Sequence, residues 1–318
     1  MRWFRLSCYL LLVATAVIIA LFWTPDTDYD AVFDKYADSE SQFITLDDGT
    51  RIHFRDSGNA SGPVLLLVHG TSDSLLTWNK LSSRLEAEYR LLSLDLPGHG
   101  FSSAPTTPSF KHFVDVGTAL LDHLKIDSAI WAGNSLGGGI AWRAALIKPE
   151  RVQGLILLDP SGAPRTQPSK SNIGFKLLAN PVGRFFGRHI TPRTLIARSL
   201  QGSVASLDTV TPELVDRYWE LLRLPGNRDA LAKLAGLRRS DNSWADIGNI
   251  AQPTLIIWGS EDQITPVANA IKFQSAMQNA KLIVYDRVGH LPMLENPAGL
   301  AADINEFVVA LTAETATQ

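Results

Sequence analysis

Six short apolar runs recur along this chain, each closed by residues that favour a turn. They are "PVLLLVHG", "YRLLSLDLPGHG", "SAIWAGNS", "RVQGLILLDPSG", "PTLIIWGSED" and "AKLIVYDRVGH". A continuous apolar run marks a strand buried on both faces; a half-solvated strand would alternate. Longer helix-like segments separate most of the runs, around residues 75–88, 110–125, 137–148, 266–278 and 298–312. Strands alternating with helices predict an α/β fold, with a mostly parallel central sheet covered by helices on both faces. Ahead of the first run, "QFITLDDGTRIHFRDSG" gives two short alternating runs around Asp48-Gly49, a hairpin signal. Between Gly162 and about Ile250 the alternation stops, leaving helical stretches and loop signals without a buried strand. That segment is too long for a simple connection and predicts a helical insertion. The expected organisation is a core of residues 42–162 and 251–318 with a cap at 163–250.

One of the turns carries chemistry. In "WAGNSLGGGIAW", Gly133 and Gly137 flank Ser135 between an expected strand and an expected helix. A sharp strand-to-helix turn exposes a serine at a strained apex, and it brings strand and helix too close for side chains at the flanking positions. The helix N-terminus at that apex favours developing negative charge. A serine nucleophile needs a base and an orienting acid. His290, in the loop after a late apolar run, is the candidate base. Asp262 in "WGSEDQITP" follows a strand and lies between serine and histidine in chain order; Asp159 in "LLDPSG" is its rival. His69 and His99 sit in turn motifs and are expected to shape them, while His53, His112, His123 and His189 are expected at the surface. The oxyanion donors expected are the backbone N–H groups of Leu136 and, from the loop after "VLLLVHG", Thr71.

Taken in order, "HGTSDSLLTW", "LDLPGHGFS", "GNSLGGG", "PTLIIWGSEDQITP" and "VGHLPMLENP" resemble the α/β-hydrolase fold family over about residues 42–315. The branch they look like is that of bacterial serine esterases, small lipases and the related carbon–carbon-bond (meta-cleavage product) hydrolases. The resemblance implies Ser–His–acid acyl transfer, no metal and a helical cap over the pocket. Thr71-Ser72-Asp73 departs from the glycine-rich loop of many carbon–carbon hydrolases. Serine in the elbow argues against haloalkane dehalogenase and epoxide hydrolase chemistry, where the family uses aspartate. The expected function is therefore hydrolysis of carboxylic esters, small or lipid-like. Cleavage of vinylogous acids, perhydrolase activity and ligand binding without catalysis on the same fold are the alternatives. No cofactor or metal motif is present: H-E-x-x-H, paired C-x-x-C, G-x-G-x-x-G and P-loop patterns are all missing.

The ends of the chain address location. Leu6 to Trp23 contains no charge and would span roughly 27 Å as a helix. Arg2 and Arg5 precede it; Asp26, Asp28, Asp30 and Asp34 follow. The positive-inside rule then predicts a membrane anchor over residues 1–23, an acidic tether over 24–41, and the remainder on the extracytoplasmic side. A cleaved signal peptide with a secreted product is the alternative, although "ALFWTPD" is a poor cleavage site. In the cap, Arg165, Lys170, Lys176, Arg184, Arg188, Arg193 and Arg198 mix with apolar residues, a pattern suited to an anionic membrane surface or to a cap with its arginines in water. The net charge of -3 offers nothing to a nucleic-acid backbone. A single cysteine, Cys8, excludes an internal disulfide.

Overall fold

The computed structural model describes residues 6–7, 9–10, 13, 15–17, 20, 22–104, 107–164, 183, 186–234, 237 and 241–315. Helix α1 (Tyr29–Tyr36) precedes a hairpin of β1 (Gln42–Thr45) and β2 (Arg51–Gly58). Then follow β3 (Val64–Val68), α2 (Asn79–Leu85), β4 (Arg90–Leu94), α3 (Phe110–His123), β5 (Ala129–Asn134), α4 (Leu136–Ile147) and β6 (Val152–Leu158). The insertion contributes α5 (Arg193–Gln201), α6 (Pro212–Leu222) and α7 (Asn227–Leu234). The chain closes with β7 (Thr254–Gly259), α8 (Ala268–Ala276), β8 (Ala280–Tyr285), α9 (Pro292–Glu295) and α10 (Pro297–Thr315).

The strands form one sheet in the order β1-β2-β4-β3-β5-β6-β7-β8. From β4 to β8 every pairing is parallel; β2 joins antiparallel at one end. The apolar runs explain this directly. In β3, Leu66 and Val68 enter one core with Phe113, Trp131 and Phe273, while Leu65 and Leu67 enter another with Leu81, Leu300 and Ile304. Helices α3, α4 and α8 thus cover one face and α2 and α10 the other, as a sheet apolar on both sides requires. No strand interrupts 163–250 among the described residues, which agrees with the expected helical insertion.

Residues 24–41 are not a tether. Asp28 caps α1, its side chain accepting the Ala31 N–H at 2.8 Å. Tyr29, Val32, Phe33 and Tyr36 then share a helix face, packed against Leu76, Phe101 and Leu221. Thr27 N–H donates to the Arg223 carbonyl at 2.9 Å, and Arg228 pairs with Asp26 at 2.6 Å. Of the aspartates that made the segment look like a solvated linker, Asp28 serves as a cap and Asp26 as an ion-pair partner. Upstream, residues 1–5, 8, 11–12, 14, 18–19 and 21 of the expected anchor lie outside the described residues. Among the described residues no helix is long and apolar enough to cross a membrane. Of the basic residues in the insertion, Arg165, Lys170, Lys176 and Arg184 lie outside the described residues. Arg188 and Arg193 pair with Asp229 and Asp216 of the insertion itself.

Candidate active site

Strand β5 ends at Asn134 and α4 begins at Leu136, so Ser135 alone makes the turn, at φ 52° and ψ −110°. A non-glycine residue in this region is strained and persists only where its surroundings hold it. Here they do: Ser135 N–H donates to the Leu158 carbonyl at 2.9 Å, and its own carbonyl accepts from Gly139 and Ser161 at 2.9 and 2.8 Å. A Cβ on Gly137 would lie 2.0 Å from the Val68 carbonyl oxygen, and one on Gly133 would lie 2.3 Å from the Gly137 carbonyl carbon. Both positions require glycine because backbone meets backbone. Gly137→Ala is therefore expected to destabilise the fold by roughly 3 kcal/mol or more, as overpacking against an immovable main chain does. A loss under 1 kcal/mol in a denaturant melt would contradict the close approach.

Leu136 is the first residue of α4, where the N–H has no intrahelical acceptor. The loop after β3 crosses the apex: a Cβ on Gly70 would stand 3.3 Å from the Ser135 Cβ. Thr71, the second expected donor, is the next residue of that loop.

On the far side of β5, His290 Nδ1 and Asp262 Oδ2 are 2.6 Å apart, and both residues are buried. The other Asp262 oxygen accepts the N–H groups of Ile264 and Thr265 at 2.7 and 3.0 Å, and the Thr265 hydroxyl donates to Oδ2 at 2.6 Å. Burial alone would push the Asp262 carboxyl up; the imidazole and these donors outweigh it and hold the group below the usual carboxylate range. Asp159 is fully buried beside this pair, with ligand atoms of all three residues within 4.8 Å of one another. Its Oδ1 accepts the Gly259 N–H at 2.9 Å rather than meeting the histidine. Burial first, then the Asp262 charge, push its carboxyl well above the ordinary range. The two neighbouring carboxyls are thereby driven in opposite directions, Asp262 below and Asp159 above the ordinary carboxylate range.

Sequence reasoning missed the residues that hold His290 in place. Asn134 Nδ2 donates to the His290 carbonyl at 2.9 Å, and His290 N–H donates to the Ser203 carbonyl of the insertion at 2.8 Å. Glu295 accepts from Gly289 N–H at 2.9 Å and from Ala205 N–H at 2.7 Å, fastening the histidine loop to the insertion. Only the position of Glu295, five residues after His290, hinted at this. His53 corrects another expectation: it is buried, its Nδ1 2.7 Å from Asp95 Oδ2. That carboxylate also accepts the Leu75 and Phe101 N–H groups, so the pair ties together the loops after β3 and β4. His112 and His189 are half-buried and His123 is exposed.

Residues 63–297 match the family described by the alpha/beta hydrolase fold. The chain belongs to this family. It is 30% identical over 281 residues to an uncharacterized protein of Mycobacterium tuberculosis, covering 84% of this chain and 80% of that one. It is 27% identical over 275 residues to the 2-hydroxymuconate semialdehyde hydrolase of a Pseudomonas species, covering 82% and 91% respectively. Among solved structures, a bacterial membrane phospholipase A superposes with a TM-score of 0.75 at 23% identity, covering 98% of this chain and 99% of that one. The family membership supports hydrolytic chemistry on a small-molecule substrate.

Proposed function

We propose that this α/β hydrolase is a serine esterase that cleaves carboxylic esters, lipid-like ones included, through an acyl-enzyme. The observation that carries the reading is the strained Ser135 elbow beneath the Gly70–Thr71 loop, with the His290–Asp262 pair held against the same elbow by Asn134. In acylation Ser135 Oγ attacks the ester carbonyl carbon and gives its proton to His290 Nε2. The oxygen that becomes negative meets the N–H groups of Leu136 and Thr71. When the tetrahedral intermediate collapses, the bond to the leaving oxygen breaks and His290 passes the proton to it. Water then attacks the acyl carbon, losing a proton to His290, which returns it to Ser135 as the acid departs. Asp262 holds the Nδ1–H tautomer and offsets the positive charge His290 carries between these steps.

The similarity to a 2-hydroxymuconate semialdehyde hydrolase favours a second reading, carbon–carbon cleavage of vinylogous acids by the same residues. One panel separates the two: p-nitrophenyl esters of graded acyl length beside a 2-hydroxy-6-oxo-dienoate. Turnover of the esters with none of the dienoate supports the esterase; the converse selects carbon–carbon cleavage.

The proposed setting is a membrane, with residues 6–23 as the anchor and the enzyme on the extracytoplasmic side. Leu6, Tyr9, Leu10, Val13, Val17, Phe22 and Trp23 are exposed apolar side chains immediately before the docked α1 segment. The full chain is then expected to stay with membranes through salt and carbonate washes and to lose its C-terminus to protease added to intact cells. A protected C-terminus, with the protease shown to reach the membrane, reverses the orientation.

A further inference from the structure

The insertion is bonded to two loops of the candidate site. At one, the Ser203 carbonyl accepts the His290 N–H, and Glu295 joins the histidine loop to Ala205. At the other, α6 meets the loop after β3, which passes beside Ser135 at Gly70. The Tyr218 hydroxyl of α6 donates to Asp73 Oδ2 at 2.5 Å, and neighbouring Arg217 donates to the Leu76 carbonyl at 3.1 Å. Tyr218 and Asp73 are both buried.

Residues 70–73 form a tight turn. Asp73 N–H donates to the Gly70 carbonyl at 3.4 Å, and the third residue, Ser72, has φ 62°. Glycine is the usual residue there, because a side chain in the left-handed region is strained. Such a conformation persists only where its surroundings hold it. The core holds the Gly70 end. His69 Nε2 accepts the Leu96 N–H at 2.9 Å, which leaves the ring proton on Nδ1, and that group donates to the Gly70 carbonyl at 2.7 Å. The core takes hold again at Leu75, whose N–H donates to Asp95 at 2.7 Å. Between these points stands Asp73. Its Oδ1 accepts from Ser74 N–H at 2.8 Å, inside the loop, while the bond from Tyr218 reaches it from the insertion. Burial first, and then Asp73, push the Tyr218 hydroxyl well up, so it keeps its proton and remains a donor.

We propose that Tyr218 is a positioning residue for the oxyanion site: through Asp73 it holds the 70–73 turn, and with it the Thr71 N–H, at the serine. The insertion then braces both the base and an oxyanion donor, and acyl transfer depends on its being seated. This rests on the esterase reading and deepens it by giving the insertion a part in the chemistry.

The test is made on the full chain, with kcat and KM for one p-nitrophenyl ester and the rate of labelling by a fluorophosphonate, whose phosphoryl oxygen needs the same donors. Tyr218→Phe alone leaves a buried carboxyl short of its donor and can fail to fold, so the comparison is made on Asp73→Asn. There Oδ1 can still accept the Ser74 N–H and Nδ2 can donate to the Tyr218 oxygen. Asp73→Asn is expected to stay within about tenfold of the wild-type kcat, a conservative replacement that Asp73→Ala does not match. Adding Tyr218→Phe to Asp73→Asn is expected to lower kcat and the labelling rate together by about ten- to a hundredfold, with KM within about threefold, as misplacing a transition-state donor does. A kcat and labelling rate within twofold of Asp73→Asn overturns the proposal, and so does a loss confined to KM. A folded Asp73→Asn chain already as slow as Asp73→Ala overturns it too, since that variant retains a bond to Tyr218. If the wild-type chain is labelled but turns over no ester, it is the esterase reading that has failed, and the labelling rates still decide for or against Tyr218.

Discussion

Replacing Ser135 with alanine is expected to abolish labelling by a fluorophosphonate probe and to lower ester turnover by about a millionfold, to what the remaining groups supply. The reasons are local. Ser135 is the whole of the turn between β5 and α4, its backbone is held at φ 52° by three main-chain hydrogen bonds, and the N-terminus of α4 opens at the next residue. Alanine keeps the same backbone demands, so Ser135→Ala removes the hydroxyl while leaving the elbow in place. The variant is expected to fold with an unchanged melting profile. Probe labelling that persists in a folded Ser135→Ala chain would assign the nucleophile elsewhere.

The second large effect separates the two aspartates. His290→Ala is expected to cost about as much as losing the nucleophile, since proton transfer fails in both halves of the reaction. Asp262→Asn is expected to cost on the order of ten-thousandfold, because an amide beside Nδ1 can impose the wrong tautomer and offers no charge to the imidazolium. Asp159→Asn is expected to change kcat/KM by less than about tenfold. Burial and the Asp262 charge push the Asp159 carboxyl up, towards its neutral form, and a neutral amide of the same shape can still accept the Gly259 N–H. The order of damage is thus the measurement: kcat/KM for the three variants on one ester. A crippled Asp159→Asn beside a mild Asp262→Asn would exchange the roles of the two carboxyls.

Much of the fold was legible because it obeys short-range rules. A strand covered on both faces reads as a nearly continuous apolar run, and β3, β5, β6 and β7 read that way from their residues alone, with Gln153 the exposed exception in β6. The elbow was legible from its residue types: Gly133 meets the main chain of Gly137 four residues on and Gly137 meets that of Val68 at the end of β3, so only glycine fits at either position. The α1 segment misled because its aspartates are more conspicuous than its spacing. The face formed by Tyr29, Val32, Phe33 and Tyr36 has helical period, but eight residues make a weak signal without the partner surface that buries them.

What the amino-acid sequence by itself determined here is the alternation of buried strands and helices, the expected strain at Ser135 and a serine–acid–histidine chain order with Asp262 and Asp159 as candidates for the acid. Periodicity and backbone sterics act between near neighbours and need no knowledge of the rest of the chain. Tertiary structure alone decided which aspartate faces the histidine. Asp159 and Asp262 both follow strands, and β6 and β7 lie side by side, so both carboxyls arrive within 4.8 Å of the same histidine group. The choice between them rests on the Gly259 N–H that turns one carboxyl aside and the Thr265 groups that fix the other. Tertiary structure likewise decided the burial of His53 against Asp95 and the bracing of His290 by Asn134, Ser203 and Glu295. Apart from Glu295, these partners are 42 to 156 residues apart, and no local pattern records a contact that exists only once the sheet and the insertion have closed on each other.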